Sequence, residues 1–188
     1  MTVNPFNRYK QQLPSSKCPR TFIAYHGTTA GTFDVFKPNY RRGEELGFGI
    51  HFTTDKELAE MYAYNPNVAR KGKKPYVFTA SITCNKCLDA RKIVPQGTYE
   101  FDLAKKIAGN KLIVIKDENG IPTTYLQRAI DSASPQRAEK ILRDEGYDCI
   151  IYNVRVIGNY GMSPGYYNIS KEAEGIIVLN PSQIKRLD

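Results

Sequence analysis

The sequence predicts an α+β fold. Short apolar runs of strand length are spread along the whole chain, two segments carry clear helix-start signals, and strands and helices do not alternate regularly as in a doubly wound parallel sheet. With 188 residues, 41% of them hydrophobic and 24% charged, the chain can bury a real core and does not have a disordered composition. A single domain is expected over 21–188. It follows a polar lead-in over 1–20, "MTVNPFNRYKQQLPSSKCPR", which lacks the apolar stretch of a secretory signal.

In chain order, strands are expected at 22–26, 49–53, 76–83, 112–115, 148–153 and 176–180. Of these, "YVFTASITC" shows the partial alternation of a half-buried strand. Thr54 with Glu57 reads as a capping box, followed by Leu58, Met61 and Tyr62 on one helical face. Residues 99–108 are a further helix candidate. Ser134-Pro135 starts another helix, with Ala138, Ile141 and Leu142 on one side and Gly146 as its stop. The segment 154–170, "VRVIGNYGMSPGYYNIS", is rich in Gly, Tyr and Asn without a clear period. It reads as a long loop, of the kind that is often functional in a compact domain.

A net charge of +8 favours polyanionic partners such as nucleic acid or acidic protein surfaces, or is simply a solvated basic surface. The densest basic cluster, Arg70, Lys71, Lys73 and Lys74, encloses Gly72 and precedes Pro75, so an exposed loop is expected there. No apolar run approaches the roughly 18 residues of a membrane span, and no membrane partner is expected. Cytoplasmic synthesis follows as the default, with delivery into a target cell by a specialised route compatible with it.

The four cysteines do not look like a disulfide framework in a chain of this length. Cys84-Asn-Lys-Cys87 has the spacing of half a zinc site or a redox pair. A structural zinc needs four ligands, and no second CxxC or HxxxH exists. Cys18, Cys149 or a histidine could complete a site only through the folding of the chain. Otherwise these are two cysteines at the end of a strand, and no metal is expected. Nothing resembles a Walker loop, a dinucleotide GxGxxG, a GxSxG elbow or an HExxH helix.

The two histidines stand in similar settings: His26 in "TFIAYHGTTAGTFDVF" and His51 in "GFGIHFTTD". A histidine at a strand end is commonly a core residue. Gly27 beside His26 nevertheless permits close backbone approach, so a ligand could meet both peptide groups and imidazole. The helix expected after His51 carries Tyr62, Tyr64, Ala59 and Ala63. Two histidines, a tyrosine and exposed glycine backbone suit a flat aromatic ligand that bears hydroxyl or amide groups.

"YHGT", the Phe33-x-x-Phe36 pair, "GxGIxFTxDxxxAxxYA" over 47–63, "EGYDCIIYN" and the C-terminal "IIVLNPSQIKRL" together resemble the ADP-ribosyltransferase superfamily. The resemblance is to its poly(ADP-ribose)-polymerase-like, diphtheria-toxin-like branch, marked by a His, Tyr, Glu triad, and within it to the phage and bacterial polyvalent-protein type. It covers most of 22–187 and rests on order and spacing. It implies a split mixed β-core with a few peripheral helices, which binds NAD as a consumed substrate and needs no metal. By the same resemblance His26 matches the histidine that hydrogen-bonds a ribose, Gly27 the backbone clamp on the nicotinamide carboxamide, and Thr28 the small hydroxyl position. His51 stands where the family has the triad tyrosine, with Phe52 beside it. Tyr62 matches a second tyrosine, so His51 and Tyr62 would sandwich the nicotinamide. Arg41 or Arg42 would meet the pyrophosphate, since guanidinium binds phosphate bidentately.

An ungapped match of the last strand puts Gly175 at the catalytic glutamate, with Glu174 adjacent and Glu172 two further back. A one-residue bulge would bring Glu174 into place. The implied activity is transfer of ADP-ribose from NAD to a macromolecular acceptor, protein or nucleic acid. Such an enzyme would be a monomeric toxin or effector, with an antitoxin or immunity protein as partner. Two alternatives stand beside it: an NAD-dependent RNA 2′-phosphotransferase, and a catalytically inactive NAD- or nucleic-acid-binding module on the same fold.

Overall fold

The computed structural model describes residues 19–40, 46–64, 72–159 and 168–188, so the expected lead-in lies outside it up to residue 18. The strands are β1 (Arg20–Thr28), β2 (Ile50–Thr53), β3 (Tyr76–Cys84), β4 (Cys87–Asp89), β5 (Ile93–Pro95), β6 (Ile115–Lys116), β7 (Pro122–Tyr125), β8 (Cys149–Asn159), β9 (Asn168–Val178) and β10 (Ile184–Arg186). The helices are α1 (Lys56–Ala63), α2 (Tyr99–Ala108), α3 (Leu126–Asp131) and α4 (Pro135–Asp144). Seven strands form one sheet in the order β10-β3-β1-β2-β9-β8-β4, and β5-β7-β6 form a small second sheet. The class is α+β, as expected.

The helix signals held in part. In α4, Ser134 accepts from the Arg137 N–H, Pro135 opens the helix, and Gly146 follows the last turn at φ +79°. Helix α2 is capped by Thr98, which accepts from the Phe101 N–H. In α1 the cap is Asp55, not Thr54. Asp55 Oδ1 accepts from the Leu58 N–H at 3.0 Å, while the N–H of Thr54 donates to the Glu174 carbonyl and ties that residue to β9 just past the end of β2. Helix α1 buries Leu58, Ala59, Met61 and Ala63, so Tyr62 does not share the buried face.

Two strand expectations are corrected. The run 112–115 contributes only Ile115 to β6. Leu112 closes a 3₁₀ turn on Gly109, and the Ile113 carbonyl accepts from the Thr124 hydroxyl instead of from a ladder. The segment 154–170 is mostly strand: β8 and β9 pair antiparallel from Cys149 with Val178 to Asn159 with Asn168. The β-branched residues Val154, Val156, Ile157 and Ile169 favour the ladder that the Gly, Tyr and Asn content obscures. Residues 160–167 lie outside the described residues.

Alternation along the strands separates two cores. One side packs against the helices through Leu46, Phe48, Leu58, Ile107, Leu142, Ile150 and Ile177. The other joins Phe36, Ile50, Phe52, Phe78, Ile82, Cys149, Ile151 and Ile176. That second core unites β3 with β8, which have three strands between them in the sheet, so the sheet curls around it. The connection from β3 to β4 demands the same curl. Flat, these strands would lie five spacings apart, roughly 24 Å, yet only Asn85 and Lys86 join them, a span of about 10 Å at most.

Candidate active site

The sheet is split next to the first histidine. Strands β1 and β2 share a single pairing, Tyr25 with Thr53, whereas β1 pairs with β3 along its whole length to Thr28. Among the described strands, none pairs with Gly27 on the β2 side. On the helix side the backbone of α1 lies directly on Gly27: a Cβ there would stand 1.8 Å from the Ala59 carbonyl oxygen and 3.0 Å from the Ala63 nitrogen. Glycine at 27 is therefore fixed by this crossing. Thr28, next along, accepts from the Ala30 N–H through its hydroxyl and shapes the turn that leaves β1.

The His26 ring is held in one orientation. Its Nδ1 lies 2.7 Å from the His51 carbonyl oxygen, which can only accept, so Nδ1 carries the hydrogen and Nε2 is left as an acceptor. Phe33, Phe36, Phe52 and Phe78 surround the imidazole, with ring centroids 5.5–6.4 Å away. Burial among them pushes the imidazole below its ordinary value, against the bond to His51, which works the other way. The Phe33 and Phe36 pair thus gains a physical role as two walls of the histidine's niche. Phe52 is buried against the same ring and supports His26 from within the core.

His51, one residue out of phase, sends its ring to the helix side. Nε2 donates to the Phe48 carbonyl at 3.0 Å, and Nδ1 accepts from the Tyr152 hydroxyl at 3.0 Å. The Tyr152 ring meets it edge-on at 5.9 Å. Tyr62 is exposed on α1, three residues after Ala59, whose carbonyl lies on Gly27. Gly27 and His51 therefore share the helix side of the split, and Tyr62 stands on the exposed face of the helix that covers it.

The carboxylate end departs from expectation. Both ladders of β9 run in unbroken register, Thr53 with Gly175 on one side and Asn153 with Glu174 on the other, so the bulge expected at Glu174 does not form. A Cβ at Gly175 would stand 2.4 Å from Tyr152 Cε1 and 2.5 Å from Val154 Cγ2. The space an ungapped glutamate would need is filled by the tyrosine that holds His51. Glu174 leaves the sheet on the opposite face, the one His26 occupies. It is two strands across and two residues along from His26, roughly 12 Å between Cα atoms. Its carboxylate meets Arg91 Nη1 at 2.6 Å, and Arg91 also grips Asp89 through Nε at 2.7 Å and Nη2 at 2.9 Å. Burial works against ionisation of Asp89, yet the Arg91 guanidinium wins and holds that carboxyl below its usual range. Glu172 pairs with Arg155 farther along the ladder.

Arg41 and Arg42 lie outside the described residues, as do Arg70 and Lys71, while Lys73 and Lys74 are exposed in a loop as expected. Three residues at the site carried no signal of their own: Tyr152, which reads as one more apolar strand position, and the Asp89–Arg91 pair. Among the described residues, no helix is long and apolar enough to cross a membrane. The family model described as "ADP-Ribosyltransferase in polyvalent proteins" matches residues 20–188. No curated protein matches the chain.

Proposed function

Because the chain belongs to the ADP-ribosyltransferases of polyvalent proteins, we propose that it is a mono-ADP-ribosyltransferase that cleaves NAD at the nicotinamide–ribose bond. ADP-ribose then passes to a macromolecular acceptor, and the net charge of +8 favours nucleic acid for that role. The observation that carries the reading is the orientation of His26: with Nδ1 committed to the His51 carbonyl, Nε2 is an acceptor for a ribose hydroxyl beside the split. The backbone of Gly27 on its β2 side binds the carboxamide, and the His51 and Tyr62 rings flank the nicotinamide. Positive charge develops on the ribose as the bond breaks, and Glu174 is the carboxylate that stabilises it and takes the proton of the incoming nucleophile. For this, Glu174 shares or leaves its contact with Arg91. A small modifier of this kind fits a toxin or effector made in, or delivered into, a cytoplasm.

A second reading draws on Gly175. With the ungapped position filled by Tyr152 and Glu174 tied to Arg91, the chain would be a binding module that holds NAD or nucleic acid without chemistry. One experiment separates the two. The protein is incubated with adenylate-labelled NAD and a cell lysate, free nicotinamide is measured, and the labelled product is digested with nuclease or protease. The transferase releases nicotinamide and leaves label sensitive to one of the two digestions. Glu174→Gln slows release by about 10²–10³-fold, and His26→Asn, which keeps a donor for the His51 carbonyl but offers no Nε2, slows it similarly. Full activity of Glu174→Gln removes Glu174 from the mechanism. Wild-type protein that binds NAD and releases no nicotinamide establishes the binding module.

A further inference from the structure

The pairing of β4 with β8 and the curl of the sheet bring Cys149 to the Cys84–Cys87 turn, from which the sequence leaves it far apart. Cys84 ends β3, Cys87 begins β4, and Cys149, sixty-two residues later, begins β8 in register with Cys87. Their three sulfurs all lie within 4.8 Å of one another, and none of the three is in a disulfide. Cys84 and Cys149 are fully buried, while Cys87 keeps part of its surface.

The turn between the first two cysteines is held rigidly from outside. Asp148 takes the Asn85 N–H on Oδ2 at 2.9 Å and the Lys86 N–H on Oδ1 at 3.0 Å, and Oδ2 also takes the Asn85 side-chain amide. The Lys86 ammonium donates to the Glu145 carbonyl at 2.6 Å and lies over the Tyr147 ring. The residue that fixes the turn is thus the immediate neighbour of Cys149, so one short segment positions all three sulfurs.

We propose that Cys84, Cys87 and Cys149 form a binding site for a thiophilic divalent cation, with Zn²⁺ as its prototype. A tetrahedral zinc with bonds of about 2.3 Å places its sulfurs about 3.8 Å apart, so the existing cluster needs only a small contraction to close on the ion. The half-exposed side of Cys87 leaves the fourth position to solvent. Binding replaces the three thiol protons, which pass to solvent. The ion offsets two of the three thiolate charges in a setting where bare thiolates are costly, the remaining negative charge being shared with the solvent-facing side at Cys87. The ion would join the end of β3 to the start of β4 and β8, the seam where the curled sheet meets itself. It would act as a clamp on the fold, distant in role from NAD chemistry, and the proposal does not depend on that chemistry.

The test uses the full chain carrying Cys18→Ser, so that the clustered thiols are the only ones in the protein. It is purified under reducing conditions, stripped with a chelator and titrated with Co²⁺. The expected result is a thiolate-to-cobalt charge-transfer band that saturates at one ion per chain, is bleached by Zn²⁺, and is accompanied by a rise in the thermal midpoint with Zn²⁺. Cys87→Ser, at the least buried position, loses the band while keeping the far-ultraviolet spectrum of the parent. Absence of the band in folded parent protein overturns the proposal, as does a band that survives Cys87→Ser. Ready conversion of the stripped parent to a disulfide in air, without Co²⁺ binding beforehand, assigns the cluster to a redox pair and also overturns it.

Discussion

His26 and His51 sit on neighbouring strands, one residue out of phase, and their rings leave the sheet on opposite faces. His26 spends one nitrogen on the fold, through the His51 carbonyl, and is walled by four phenyl rings. His51 spends both, on the Phe48 carbonyl and the Tyr152 hydroxyl. In sequence the two look alike, each preceded by apolar and small residues and followed by a threonine within two positions. The difference teaches that a histidine's chemistry is set by how many of its nitrogens the backbone has claimed. By that measure His26 is fitted to accept from a ligand, and His51 to offer it only a ring face.

The comparison is broken most severely by Gly27→Ala. The new methyl would collide with the Ala59 carbonyl, which is backbone and cannot rotate away, so α1 must lift off β1. The loss expected is about 3 kcal/mol or more, at or beyond the upper end for overpacking, read as the urea midpoint. Stability within about 1 kcal/mol of wild type would show that α1 is loosely seated there. His51→Phe follows. It keeps a ring but removes the donor to Phe48 and the acceptor of the buried Tyr152 hydroxyl, for an expected loss of about 2–3 kcal/mol. The same change at His26 would leave the helix side intact, so unequal effects on α1 helicity would confirm the two-face assignment.

A third expectation sharpens the contrast through pH. The buried imidazole of His26 is held below its ordinary value, so the unfolded chain binds a proton that the folded one refuses. Stability is therefore unaffected above the unfolded value of about 6.5 and falls as pH drops through it, by up to about 1.4 kcal/mol per pH unit, until the folded value is reached. His26→Asn removes that slope. Asp89, held low by Arg91, acts in a separate and more acidic window: its contribution is present above the ordinary carboxylate value and lost as pH falls through the folded one. Urea midpoints of wild type and His26→Asn measured from pH 7.5 to 5 isolate the contribution of His26 by difference, and an unchanged slope in the variant would place the titration elsewhere.

Local chemistry made α4 legible, because Ser134-Pro135 and the apolar face of Ala138, Ile141 and Leu142 lie within a few positions of each other. Helix α2, by contrast, was a candidate over 99–108 without its Thr98 cap, and the cap of α1 lies one residue past the one expected. The "YHGT" and "GIH" strands were legible as a pair by resemblance, and the family match over 20–188 agrees with it. What escaped the sequence is whatever depends on long-range register. Whether residue 174 or 175 faces His26 is decided by pairing with β2 and β8, and the regular ladder put Glu174 on the His26 face without the expected bulge. Tyr152 over Gly175 is a contact between the paired strands β8 and β9, invisible in "IIYN". Cys149 meets Cys87 as its partner in the β4–β8 ladder and Cys84 through the curl of the sheet, and no spacing in the chain encodes either.

The smallest expected effect bears on how the two faces are tied together. Asp55 caps α1 by accepting from Leu58, its own N–H donates to the Thr53 hydroxyl at 3.1 Å, and that hydroxyl donates to the Glu174 carbonyl at 3.2 Å. The chain of bonds runs from the helix above Gly27, through β2, to the strand that bears the proposed carboxylate. Asp55→Ala removes the cap at a cost of about 1 kcal/mol, seen as a lowered urea midpoint. Asp55→Asn keeps a side-chain acceptor and should recover most of the loss. If it does not, the negative charge at the helix N-terminus carries the cap, through the helix dipole, and the hydrogen bond contributes little. Thr53→Val then tells whether the relay matters. Left with its cap but without the hydroxyl link, α1 should stay folded while nicotinamide release falls, because the helix face beside Gly27 would no longer be registered to β9.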